Sequence, residues 1–88
     1  MARLFVDLKV WRRDVDGVAV LYRCLRDDET GRYAVQSADF FRLPVDGARI
    51  ESSDRQFVEL LIEQSPLERC EWHPSVAAAI AAHERAFG

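Results

Sequence analysis

Glycine, proline and cysteine are all scarce in this 88-residue chain, with four, three and two copies respectively. The few glycines form no G-x-G-x-x-G or G-x-x-x-x-G-K-[ST] run, so no phosphate-cradling loop and no nucleotide cofactor is implied. Two cysteines, Cys24 and Cys70, are too few for the bridged scaffold of a small extracellular domain. A basic excess is missing as well: 12 Lys and Arg stand against 15 Asp and Glu, for a net charge of −3. Binding to nucleic acid rests on cations that replace counterions along the phosphates, so this balance argues against it. No stretch approaches the ~20 apolar residues of a membrane helix. The first eight residues carry Asp7 where a signal peptide needs an unbroken apolar run. The expectation is a cytoplasmic protein with reduced thiols and no membrane contact.

What is present is the balance of a globular domain: 49% hydrophobic and 31% charged residues, with no repeat or low-complexity run. The length suits one domain over residues 1–88. A chain this short buries only about 60–65% of its unfolded surface. A large ligand cavity would consume much of that core, which points away from a self-contained enzyme.

The first half reads as strand and the second as helix. Asp14-Val15-Asp16-Gly17 and Asp28-Glu29-Thr30-Gly31 both place Asp first and Gly fourth, as in a type I turn closed by a glycine bulge. Strand formers fill 4–11, 18–25 and 33–37. A bulged turn at Gly17 sets Val10 opposite Tyr22 and Leu8 opposite Cys24. One face then carries Val6, Leu8, Val10, Val20, Tyr22 and Cys24, whereas a one-residue slip mixes Asp7 and Lys9 into it. The third strand's register stays open. Ala48 to Glu51 could form a short extra strand. Ser53-Asp54-Arg55-Gln56 has the spacing of a capping box, and Phe57, Val58, Leu61 and Ile62 recur behind it at helical spacing. Pro66 stops that helix. A second opens near Pro74 or Ser75, with Val76, Ile80, His83 and Phe87 as its stripe. The expected fold is α+β, a three-stranded antiparallel meander followed by two C-terminal helices packed on one face, in the order β-β-β-α-α. Leu8, Val10, Val20, Tyr22, Phe57, Leu61, Ile62, Val76 and Ile80 form its expected core.

Chemistry-bearing residues are sparse. Cys70 and His73 stand three apart, and with Cys24 and His83 they make four potential zinc ligands. Structural zinc sites bring two close pairs, and only one is present, so no metal is implied. Cys70 with His73 could serve a small thiol-dependent enzyme, but no orienting partner or oxyanion loop accompanies them. The acidic turn 27–29 lacks the alternating oxygen ligands of a calcium loop. Arg12, Arg13, Arg23 and Arg26 could form a nucleic-acid-binding cluster, yet acids stand beside most of them.

The second sheet face is more informative. Trp11, Leu21 and Leu25 project from it with Arg23 among them, and Tyr33 and Val35 join if the register allows. Aromatic residues and Arg are enriched at protein interfaces. The reading is therefore a non-catalytic interaction module: a small adaptor, inhibitor or subunit. It would bind a protein partner or form a homo-oligomer through the uncovered sheet face or an edge strand. Residues Trp11, Leu21, Arg23, Leu25, Tyr33 and Val35 are the interface candidates. The alternative is that residues 40–52 fold across this face and make it core.

Overall fold

The computed structural model describes residues 2–87. Strands β1 (Phe5–Arg13), β2 (Val18–Asp27) and β3 (Tyr33–Arg42) form an antiparallel sheet in that order. Helices α1 (Gly47–Glu63), α2 (Pro66–Arg69) and α3 (Val76–Phe87) follow. This is the expected α+β layout of a meander and C-terminal helices. Among the described residues no helix is long and apolar enough to cross a membrane.

The hairpins follow from their glycines. Gly17 and Gly31 both take positive φ, 73° and 69°, a conformation costly for any residue with a Cβ. The first turn sets Val10 opposite Tyr22 and Leu8 opposite Cys24, as the clean apolar face predicts. The second is built differently from its expected form. Asp27, not Asp28, anchors it: its carbonyl accepts from Gly31 N, and its carboxylate accepts from Glu29 N and Thr30 Oγ1. Between β2 and β3 the register shifts. Arg23 pairs with Ser37 and Cys24 with Val35, leaving Gln36 as an extra, bulged residue.

The helices do not share a face. Along a strand, alternate side chains point to opposite faces. Val20, Tyr22 and Cys24 pack with Val76 and Ile80 of α3. From the other face Arg23 reaches Ser53 and Phe57 of α1. The expectation of both helices on one face fails because α1 begins at Gly47, six residues before Ser53. Asp46 is its N-cap, accepting from Ala48 N at 2.9 Å, so residues 48–51 are helix and not strand. At 17 residues α1 spans about 25 Å, enough to cover one face unaided. Arg49 lies over Phe41 of β3, Phe57 lies under Arg23 of β2, and Leu61 and Ile62 share a hollow with Phe5 of β1. Ser53 is a buried mid-helix residue, and its hydroxyl donates to Asp39 at 2.6 Å.

The chain then passes round β3 to the opposite face. Tyr33 and His73 exchange two backbone hydrogen bonds of 2.8 Å at that edge. Ser75 caps α3 by accepting from Ala78 N at 3.0 Å. Buried Ala79 lets the helix approach the sheet closely. The core is thus two layers with β2 between them, with Phe57 on the α1 side and Val20 on the α3 side. Ile62, expected inside, is 78% exposed, and Leu8, Val10 and Leu61 are half-buried.

Candidate functional site

The central strand decides which expected site residues remain accessible. Leu21, Arg23 and Leu25 face α1 and are 3%, 3% and 1% exposed. They are interior, so they cannot meet a partner. Over β2 the face expected to be open is closed by α1, which begins inside the 40–52 segment. Arg23 there donates to Ser53 Oγ at 3.0 and 3.1 Å and pairs with Asp54. Its guanidinium lies over the Phe57 ring. Val35 sits on the opposite face, paired with Cys24, because the Gln36 bulge fixes that register. Tyr33 is half-buried and spends its backbone groups on His73. Of the six interface candidates only Trp11 is well exposed, at 56%.

The thiol reading gains no geometry. Among the described residues no hydrogen bond joins Cys70 to His73 or His83, and burial pushes the Cys70 thiol above its ordinary value. His73 is fixed by its backbone pairing and lies near Glu71. Burial carries the Cys24 thiol up to about 11. Nucleophilic cysteines have depressed values, so both shifts run the wrong way. Among the described residues no three His, Cys, Asp or Glu side chains gather as a metal site would need.

The arginines form no stripe. Arg23 is interior, Arg12 is held by Asp14 and Glu84, and Arg26 lies 3.6 Å from Asp28. Arg12 and Arg26 project from the α3 face, Arg13 and Arg23 from the α1 face.

Two features were not anticipated. The first is a cleft of about 450 Å³ between α3 and the sheet, floored by Val20 and Ala38 and flanked by Phe40, His83 and Phe87. At its rim Arg12 donates to Tyr22 Oη at 2.7 Å and to Asp14 at 2.9 Å, and the Tyr22 hydroxyl donates to Glu84 at 3.2 Å. Desolvation, with the hydrogen bond to Glu84, raises the Tyr22 phenol, and burial lowers His83. Arg12 there is matched by two carboxylates, Asp14 and Glu84. Among the described residues no Ser, Thr, Cys or Lys lines the cleft. Arg12, ending the apolar run of Val6, Leu8 and Val10, was its only sequence signal.

The second is a contrast between the sheet edges. Edge strands present unpaired N–H and C=O groups that a further strand can take up. At β3 several of these groups are occupied. Tyr33 pairs with His73, Arg69 donates to Gln36 O at 3.3 Å, and Arg49 donates to Phe40 O at 2.7 Å. At β1 they are not. Asp14 N donates to Val18 O and Leu4 O accepts from Asp28 N, so even-numbered residues face β2 at both ends of the strand. Phe5, Asp7, Lys9, Trp11 and Arg13 therefore aim their backbone groups outward, and among the described residues nothing meets them. Beside that edge Val6, Leu8 and Val10 stay half-buried, because α3 packs on the β3 side of the sheet. No protein family, curated protein or solved structure matches the chain.

Proposed function

We propose that this chain is a non-catalytic protein-interaction module that works by strand addition at β1. The observation that carries the reading is the asymmetry of the two edges. β3 is partly capped by His73, Arg49 and Arg69 from the same chain, while the five outward-facing residues of β1, Phe5, Asp7, Lys9, Trp11 and Arg13, stand open beside a half-covered apolar row. Strand addition draws affinity from main-chain hydrogen bonds and specificity from alternate side chains. The exposed Trp11 belongs to this surface, as a large aromatic anchor suits an interface.

The test uses tagged protein isolated from its native cell, wild type against Lys9→Pro. The Lys9 N–H faces outward, so proline there leaves every β1–β2 hydrogen bond intact while blocking an added strand. The expected result is a second chain, a copy or another protein, retained in stoichiometric amount by wild type and lost by Lys9→Pro at unchanged melting temperature. Retention that ignores Lys9→Pro, or no retained chain at all, contradicts the reading.

A further inference from the structure

We infer that the strand added at β1 is β1 of a second copy, antiparallel and centred on Leu8, with Trp11 of each copy seated in a hollow of the other. This rests on the edge reading above and specifies its partner. Outward-facing residues must meet outward-facing residues, so only pairings of odd with odd positions form hydrogen bonds. Among the registers near the strand's middle, one centred on Asp7 sets Asp7 against its own copy, and one centred on Lys9 does the same with lysine. Both put like charges directly opposite, which is destabilising.

The register centred on Leu8 does the reverse. Asp7 meets the second copy's Lys9, and Lys9 meets its Asp7, which gives two opposite-charge pairs on the exposed side of the strand. On the other face Leu8 meets Leu8 and Val6 meets Val10, in the wide pairs where side chains approach most closely. The half-covered rows of the two copies thus complete one another. Edge charges normally keep strands apart; here they do so in every central register but one. At the ends Arg13 falls opposite Arg3, whose charge Asp27 and Glu29 already neutralise.

The same register sets Trp11 opposite Phe5. Phe5 stacks on Trp72 at 5.9 Å and lines a hollow of about 460 Å³ with Leu61, Ile62 and Pro66. The hollow lies where α1 has crossed to β1, so it is a cavity of the receiving copy alone. Trp11 lies at the other end of β1, away from that crossing. A twofold axis through Leu8 brings each tryptophan to the other copy's hollow. Exposed Trp11 and exposed Ile62 thereby cover each other.

The experiment is sedimentation velocity of the purified full chain over a concentration series. Wild type is compared with Asp7→Lys, Lys9→Asp, the double exchange of both, and Trp11→Ala. All three positions are on the surface, and circular dichroism is to check that each variant folds. Each single charge change replaces two attractions by two repulsions and should weaken the dimer roughly tenfold. The double exchange restores both pairs and should return the dimer to near wild-type strength. Trp11→Ala should weaken it roughly 30-fold. A dimer indifferent to the single changes, or not rescued by the double, overturns this register. A purified wild type that stays monomeric, while Lys9→Pro still releases another protein from the native isolate, overturns self-pairing and leaves the edge reading standing. If Lys9→Pro releases nothing, the edge reading itself has failed.

Discussion

The guanidinium carbon of Arg23 lies over the ring of Phe57, 5.5 Å from its centroid, and both residues are buried between β2 and α1. A charged side chain at the centre of a sheet is tolerated when its donors are met and a carboxylate is near. Ser53, Asp39 and Asp54 meet these demands. Removing Arg23 leaves those acceptors without their donor under the helix. Arg23→Ala is expected to cost about 3 kcal/mol, with the slope of urea unfolding unchanged. A loss below about 1 kcal/mol would show that α1 does not depend on this contact.

Asp27 gives the fold an acid-sensitive point. It is 1% exposed and receives a two-pronged bond from Arg3, at 2.6 and 3.1 Å. That bond, ahead of those from Glu29 N and Thr30, lowers its carboxyl from 3.8 to about 2. The folded state therefore binds its proton less tightly than the unfolded chain does. The stabilisation is complete above pH ~4 and is lost as pH falls toward ~2. Chemical denaturation between those values should show a falling stability in wild type and a flatter one in Asp27→Asn. Equal slopes would remove Asp27 from the account.

The two-layer core makes a contrasting pair of substitutions informative. Leu25→Ala is expected to cost ~2–5 kcal/mol, as for other fully buried leucines. Ile62→Ala should stay within ~0.5 kcal/mol in the monomer, as for an exposed side chain. Urea titration of both checks this, and a reversed order would place α1 with the wrong face inward.

That contrast also marks what the sequence could reveal. The hairpin register was legible because Gly17 fixes the bulge and one strand face is apolar throughout, so a slip is penalised at every residue. The helix start was not. Ser53 to Gln56 mimics a capping box, while Asp46-Gly47 looks like another turn, and pattern alone does not choose between them. Moving the start to Gly47 changes which face α1 can cover, and with it the surface available to a partner. Leu21 and Leu25 read as interface because both faces of β2 are apolar. A central strand between two layers gives the same pattern. The partial capping of the β3 edge depends on Arg49 of the following helix and on His73 and Arg69, which are remote in sequence from the strand.

The thiols should be quiet. Burial holds Cys24 up to about 11 and raises Cys70 as well. With a disulfide reagent at pH ~8, Cys24 should react only on unfolding and Cys70 more slowly than free cysteine. A Cys70 faster than free cysteine would revive the thiol-dependent reading with His73.

The central claim is that a second copy of the chain occupies the outer edge of β1. Residue-resolved hydrogen exchange on wild-type protein, at high and at low concentration, reads that edge directly. Amides of Leu8 and Val10 face β2 and should be protected at both concentrations. Amides of Asp7, Lys9 and Trp11 face outward. They should be protected at high concentration, where the second copy covers them, and released on dilution. Outward amides that exchange at the open rate at every concentration, beside protected neighbours, would contradict the account.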